Sequence, residues 1–270
     1  MAEFNRNPDT EARTRTASAQ AVMDHAIGQV DEETSLVADS SQGIWQNSGF
    51  STARVSVAVV LGLWLAVVVL LGARGGFVSS PGIPPIPIAV GVTAPIIVFL
   101  AAYWLSPSFR RFATNADILL VAALQGWRWA GFGFISLYVY GVLPGRFAWP
   151  AGLGDMAIGL TAPFIVLALA RRPGFAGSRL FVISNLLGIL DLVLAVSNAA
   201  LIQSNATGAA GKLTVAPMAL LPLLLIPAYL VPLFIMLHLT ALIKARRAAR
   251  TERGIETGAI ASPNALRIGG

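Results

Sequence analysis

The sequence predicts an all-α integral membrane protein, a polytopic helix bundle with six transmembrane helices. Hydrophobic residues make up 56% of the 270 residues and charged residues only 12%, about half the charged share of an average soluble domain. Nearly all the apolar residues fall in runs within residues 54–245, and about 20 such residues suffice to cross a bilayer. The chain contains no cysteine, which excludes disulfides, thiolate metal sites and a cysteine nucleophile.

The apolar runs divide the chain into three regions. Residues 1–53 are polar and acidic and are expected to form a flexible cytoplasmic tail, with scope for one short amphipathic helix. Residues 54–245 form the transmembrane domain, and residues 246–270 form a basic and then disordered cytoplasmic tail. The predicted spans cover residues 54–73, 86–105, 117–143, 150–170, 180–202 and 215–243. Short connections between them predict that sequential helices are antiparallel neighbours.

The distribution of basic residues predicts the orientation of these spans. Three basic residues lie on the side expected to be outside, namely Arg74, Arg146 and Lys212. The side expected to be cytoplasmic collects Arg6, Arg13, Arg15, Arg54, Arg110, Arg111, Arg171, Arg172, Arg179, Lys244, Arg246, Arg247, Arg250, Arg253 and Arg267. Because Lys and Arg are enriched in cytoplasmic connections, both termini are expected in the cytoplasm and the chain in the cell inner (plasma) membrane.

A weak internal similarity is compatible with three helical hairpins built on one plan. Residues 93–98 (TAPIIV) in the second span resemble residues 161–166 (TAPFIV) in the fourth, and a Val-Ala-Pro sequence at residues 215–217 opens the sixth. A parallel repeat of this kind would place a binding site where the hairpins converge.

Only three carboxylates occur between residues 54 and 251, and Asp191 is the most central of them in its span. An ionised carboxylate at the bilayer midplane costs about 2.5–3.5 kcal/mol on insertion scales, so it must be paired, protonated or in contact with water. Asn198 shares a helical face with Asp191, in a stripe of small and polar residues expected to face other helices. Arg128 lies at a similar depth in the third span, on one face with Gln125. We therefore predict an intramembrane pair between Arg128 and Asp191.

A second interpretation places Arg128 at the cytoplasmic interface, because two Trp residues flank it and Trp is enriched at interfaces. Residues 109–124 would then lie along the membrane as an amphipathic helix. Asp191 would be protonated or hydrogen-bonded to Asn185, Asn198 or a neighbouring helix. The uninterrupted apolar run over residues 118–124 favours the buried interpretation.

The other two carboxylates lie near predicted helix ends. Asp155 follows residues 150–154 at the outer start of the fourth span, where an acid near a helix N-terminus is favourable, and is expected close to Arg146. The alternative interpretation of Asp155 is functional, namely that it faces outward and contacts a cation or substrate. Asp117 is expected to cap the third span.

The sixth span carries a proline at every fifth position, namely Pro217, Pro222, Pro227 and Pro232. Each proline removes an intrahelical hydrogen bond, so this helix is predicted to be bent or locally unwound. Broken helices occur in transporters, although a kinked packing helix is the commoner outcome. His238 is expected to be a polar residue near the inner interface.

These observations leave two main classes of function. The sequence lacks a phosphate-binding glycine loop, a clustered metal-ligand set and a serine–histidine–acid constellation, so we expect no enzyme activity and no cofactor. The first class is a small-solute or ion permease, with pathway candidates Asp191, Arg128, Asp155, Asn198 and Gln125. The second is a non-catalytic membrane subunit or scaffold, whose polar residues only specify helix packing or partner binding. Expected partners are the lipid bilayer and either another protein or a second copy of the chain, and no nucleic acid.

Overall fold

Helices make up the architecture of the described part of the chain, which contains no β-strand. The structure is a computed structural model that describes residues 55–209 and 212–261, with side chains to residue 250. The chain divides into two units, residues 1–57 and 58–270, and the account below concerns the second. The predicted N-terminal tail, residues 1–53, lies outside the described residues.

Six helical stretches of the described residues are long and apolar enough to cross a membrane, which confirms the predicted all-α class and number of spans. The third of them, Ile118–Val139, comprises two α-helices joined by the 3₁₀ segment Gln125–Gly131. The helices in chain order are α1 Val55–Ala73, α2 Ile86–Leu105, α3 Pro107–Asn115, α4 Ile118–Leu124, α5 Phe132–Val139, α6 Gly145–Arg171, α7 Arg179–Ser204 and α8 Val231–Ala261.

The boundary between α3 and α4 decides between the two interpretations of the third span. Helix α3 ends at Asn115, and Asp117 starts α4 as its N-cap, since its Oδ1 accepts hydrogen bonds from the backbone N–H of Leu119 at 2.8 Å and of Leu120 at 3.5 Å. The predicted cap is confirmed. A continuous amphipathic helix over residues 109–124 is wrong, because the chain leaves helical geometry between α3 and α4.

The fourth span begins at Gly145 rather than at residue 150, because Pro150 is accommodated inside α6. A proline in a helix leaves the carbonyl four residues earlier without its usual N–H donor, and here that carbonyl belongs to Arg146. The side-chain Nδ2 of Asn198 on α7 donates to the Arg146 oxygen at 2.9 Å. A polar side chain of one helix thus stabilises the proline position of its neighbour.

The sixth span is broken, as its prolines predict. A 3₁₀ segment, Ala216–Ala219, and a π-helical turn, Ile226–Leu230, precede α8. Pro232 leaves the Ala228 carbonyl without its α-helical donor, and the indole Nε1 of Trp64 on α1 donates to this oxygen at 3.2 Å. Irregular backbone at membrane depth persists only where protein or water satisfies it, and Trp64 does so from another helix.

Two apolar cores lie at opposite ends of the bundle, and the polar site lies between them. One core surrounds Phe134, Leu143 and Phe147 near the α5–α6 connection, and includes Ile202 and Met218. The other joins α4, α6, α7, α8 and the 3₁₀ turn after α6; its buried members are Val121, Phe175, Phe181, Ala241 and Ala245. At this second end, Lys244 Nζ donates to the Thr114 carbonyl at 2.9 Å, which fixes α3 to α8.

Candidate functional site

The site is built around Arg128, which is only 2% exposed in the middle of the third span. The segment Gln125–Gly131 is a 3₁₀ helix, in which residues three apart lie on one face. Its buried residues are Gln125, Arg128 and Gly131, at that spacing. Trp127 and Trp129 point away and are exposed, as expected of side chains facing lipid. The interfacial interpretation of Arg128 is therefore wrong, because the two Trp residues and the Arg lie on different faces.

Two carboxylates bind the guanidinium of Arg128. Its Nε donates to Oδ1 of Asp155 on α6 at 2.7 Å, and its Nη2 donates to Oδ2 of Asp191 on α7. The Arg128 side chain is fully buried, whereas the side chains of Asp155 and Asp191 are 17% and 18% exposed. The predicted contact between Arg128 and Asp191 is confirmed, and a second carboxylate shares the same cation.

Helix α8 contributes His238 to the same group of residues. Arg128 Nη1 lies 3.1 Å from the Gly188 carbonyl, to which it donates, and 3.3 Å from His238 Nε2. A guanidinium has no acceptor, so Nε2 must be the accepting nitrogen of the ring. The other ring nitrogen, Nδ1, lies 2.9 Å from Oδ1 of Asn185, whose own amide donates to the Phe181 carbonyl at 2.8 Å. The network therefore assigns His238 the neutral tautomer with its proton on Nδ1. We call these residues the Arg128 cluster: Arg128, Asp155, Asn185, Gly188, Asp191 and His238.

Glycines bring the helices of the Arg128 cluster close enough for these contacts. A Cβ added at Gly154 would overlap the carboxylate of Asp191, and one at Gly188 would overlap the ring of His238. At Gly159 an added Cβ would overlap the backbone at Trp129 and would lie 2.9 Å from the carbonyl carbon of Arg128. Small residues at helix interfaces in membranes allow such close backbone approach.

A cavity of about 90 Å³ runs from Asp155 toward the connection between α1 and α2. We call it the Asp155 cavity. Its walls come from α2, from the face of α7 between Leu192 and Gln203, and from the 3₁₀ and π segments that precede α8. Among the described lining residues Asp155 is the only charged one. The broken part of the sixth span therefore lines a cavity, the setting in which irregular backbone is tolerated within a membrane.

One residue of the 3₁₀ segment has no polar partner. Gln125 is buried one 3₁₀ turn from Arg128, and neither its Oε1 nor its Nε2 forms a hydrogen bond within the described part of the chain. A buried amide without partners costs about 1–3 kcal/mol. Gln125 therefore continues the polar face of the third span beyond Arg128, toward the end of the bundle that carries Lys244.

The structure brings together some of the predicted site residues and separates others. Arg128, Asp155 and Asp191 meet directly, whereas Asn198 binds the Arg146 backbone and does not line the cavity. The expectation that Asp155 lies at a helix start near Arg146 is wrong, because α6 begins ten residues earlier and carries Asp155 to mid-helix.

The expectation for His238 is also wrong. His238 is only 2% exposed and contacts Arg128 and Asn185, so it belongs to the buried polar cluster. Asn185 is bonded to His238 rather than to Asp191. The available sequence signal was the position of His238 within an apolar run, because an ionisable residue in a span needs a polar partner.

These features define the chain as a multi-pass membrane protein with a charged cluster at the centre of its helix bundle. A family described as Domain of unknown function (DUF8737) matches residues 85–246. This match covers more than half of the 270 residues and includes the whole Arg128 cluster, and the chain belongs to that family. Comparisons with curated proteins and with solved structures gave no match.

Proposed function

We propose that this chain is a permease for a small solute or ion, with its pathway through the Asp155 cavity and the Arg128 cluster. The observation that carries the proposal is the double role of Asp155. One of its oxygens accepts from Arg128, and Asp155 is also among the residues that line the cavity. A ligand in the cavity would therefore bind the same carboxylate as Arg128.

The charges of the cluster support the binding of such a ligand. With both carboxylates ionised and His238 neutral, two negative charges face one positive charge, and the cluster carries a net charge of −1. Intramembrane charge is costly, and ionisable groups in transmembrane segments mark pathways of ions, protons and substrates. One additional cation at Asp155 would neutralise the cluster. The broken sixth span beside the cavity supports the same class, since discontinuous helices line the binding sites of many transporters.

The distribution of basic residues supports an orientation for this permease. We propose that both termini lie in the cytoplasm of a cell with the chain in its plasma membrane. In that orientation the Asp155 cavity faces the outside, and Gln125 lies on the cytoplasmic side of Arg128.

A second candidate function, a scaffold or non-catalytic subunit, is favoured by the completeness of the Arg128 contacts. Arg128 donates toward four acceptors on three helices, and glycines fit those helices together. A cluster of this kind also specifies a unique packing of helices without transporting anything. The two functions differ in whether water and solutes reach Asp155.

Accessibility of the cavity to water provides the first test. The chain has no native cysteine, so single cysteines at Ala195 and Leu194 form a matched pair at consecutive positions of α7. Ala195 lines the cavity, whereas Leu194 is 58% exposed on the surface of the bundle. A charged methanethiosulfonate reagent should modify Ala195→Cys and leave Leu194→Cys unmodified, because reactive thiolate forms in water and not in lipid. An unreactive cysteine at both positions would favour the scaffold.

Transport itself is tested with the full chain reconstituted in liposomes on a solid-supported membrane. Concentration jumps of small cations, anions and zwitterions should produce a current for at least one class of solute. Asp155→Asn should abolish that current, and the lipid-facing control Leu194→Ala should retain it. Absence of current for every class, from protein that is folded and inserted, would contradict the permease.

A further inference from the structure

The Asp155 cavity has a chemistry that selects among ligands. Its walls are largely apolar, with the carboxylate of Asp155 at one end and Gln203 and Ser79 at the other. The lining residues of α7 run from Leu192 to Gln203, which is eleven residues or about 16 Å at 1.5 Å per residue. The polar groups are therefore confined to the two ends of the cavity, with Gln203 and Ser79 at its mouth and Asp155 at its floor. A ligand between the two ends meets hydrocarbon side chains.

Both ends of the cavity offer hydrogen-bond acceptors. The Gln203 amide nitrogen donates to the carbonyls of Ser79 at 3.1 Å and Ser80 at 3.2 Å, which fixes the amide so that Oε1 is the remaining polar atom. Gln203 is only 6% exposed, and its Oε1 accepts no hydrogen bond from any described residue. At the floor, Arg128 binds Oδ1 of Asp155 and leaves Oδ2 without a described donor. A ligand that suits this cavity therefore brings donors, and no described lining residue repels a positive charge.

The apolar walls argue against an inorganic cation as the occupant. Transfer of an ion out of water is costly unless oxygen ligands replace its hydration shell, and Asp155 is the only carboxylate in the lining. A ligand with a short alkyl portion avoids this cost, because burial of its carbon atoms contributes about 25 cal/mol per Å² of apolar surface. An anion is disfavoured because the described lining offers the Asp155 carboxylate and no cationic side chain.

The volume of the cavity sets the size of the ligand. A cavity of 150 Å³ in another protein accommodates benzene, so about 90 Å³ accommodates a molecule of only a few non-hydrogen atoms. Taken with the acceptors and the walls, this volume excludes large or multiply charged ligands.

We infer that the Asp155 cavity binds a small alkylammonium ion, with its N–H groups donated to Asp155 and its carbon atoms against the α7 wall at Ala195. This inference rests on the proposed permease function, although binding of the ligand can be measured independently of transport. The ion carries the single positive charge that brings the Arg128 cluster to neutrality. Asp155 would then share its two oxygens between the ligand and Arg128.

The test is a binding measurement on the purified full chain in detergent, by titration calorimetry and by the shift in thermal unfolding midpoint. The probes are ethylammonium chloride, the small neutral alcohol 1-propanol, sodium acetate as an anion of similar size, and sodium chloride as the inorganic control. We expect saturable binding of ethylammonium and no saturable binding of the other three. Equal binding of 1-propanol would overturn the inference, because the cavity would then be a plain apolar site. Saturable binding of sodium in place of ethylammonium would overturn it as well.

Three variants locate the binding. Asp155→Asn should weaken ethylammonium binding by about tenfold to a hundredfold, the loss expected for one charge-assisted hydrogen bond. Ala195→Leu keeps every charge and fills the cavity, so it should abolish ethylammonium binding. This variant tests the location of the binding site even if Asp155→Asn does not fold. Leu194→Phe, on the lipid side, should bind as the wild type does. Undiminished binding in Ala195→Leu would overturn the proposed location.

The binding and transport results separate the two proposals. Saturable ethylammonium binding without any current would support this inference and contradict the permease. A current for another solute, with no ethylammonium binding, would support the permease and overturn the inference.

Discussion

Arg128 contributes to the fold through charge balance among groups that have left water. Removal of one partner of a buried ion pair costs about 3–5 kcal/mol, mainly because the remaining charge is left without compensation. In the Arg128 cluster the loss of the guanidinium would leave two carboxylates facing each other, in addition to an unpaired acceptor at His238. Replacement of the whole charged set by neutral groups would leave no uncompensated charge.

We therefore predict that Arg128→Met destabilises the protein by about 3 kcal/mol or more, and that the triple variant Arg128→Met, Asp155→Asn, Asp191→Asn recovers a large part of this loss. The free energy of unfolding is measured by titration with sodium dodecyl sulfate in mixed micelles, followed by circular dichroism. Arg74→Met is the matched control, since Arg74 is exposed at the end of α1, and should change stability little. Equal destabilisation of the single and triple variants would show that lost packing, and not unbalanced charge, is the cause.

At the scale of elements, glycine and proline decide how the spans fit together. Two prolines interrupt helical hydrogen bonding at Arg146 and Ala228, and in each case a side chain of another helix, Asn198 or Trp64, supplies the missing donor. Glycines act in the opposite sense, since they remove side chains where α6 approaches the 3₁₀ segment and where α7 approaches α8. The close approach of α6 to Arg128 depends on Gly159 in particular, because the atoms opposite it belong to backbone.

Gly159→Ala should therefore destabilise the bundle by about 1–3 kcal/mol, the usual cost of overpacking. Gly133→Ala on α5 is the control, because an added Cβ there meets no atom within 4 Å, and a helical Gly-to-Ala change without contacts is expected to be neutral or stabilising. Thermal unfolding midpoints of both variants in the same detergent make the comparison. A Gly159→Ala protein as stable as Gly133→Ala would mean that α6 can move away without loss.

At the scale of the whole molecule, we expect the six spans to alternate in direction, which would place their connections on two sides of the membrane. Position 173 follows α6 and position 207 follows α7, so one span separates them. With cytoplasmic termini, position 173 is inside and position 207 outside.

Single cysteines at these positions test this orientation. In intact spheroplasts a membrane-impermeant maleimide should label Thr207→Cys, and it should label Pro173→Cys only after permeabilisation, because the reagent does not cross the bilayer. Labelling of both in intact cells would contradict the six-span arrangement. The reverse pattern would keep the spans and contradict the proposed orientation.

Much of this molecule could be predicted from the order of its residues, because the bilayer acts on each span separately. Apolar length sets the number of spans, the four prolines set the break in the sixth, and the isolation of Asp191 in apolar sequence predicts a cationic partner. These are local consequences of burying backbone and charge in hydrocarbon, and they required no knowledge of the helix packing.

The composition of the site was decided by tertiary structure. The 3₁₀ geometry of Gln125–Gly131 turns Arg128 inward, the early start of α6 brings Asp155 to the same depth, and the contact of α8 with α7 brings His238 into the cluster. Each of these three features depends on where a helix begins, on the type of helical turn, or on how one helix packs against the next. A shift of a few residues would be enough to change it. Such shifts hardly change the hydrophobic energy of a span, so sequence pattern does not fix them, whereas contacts with neighbouring helices do.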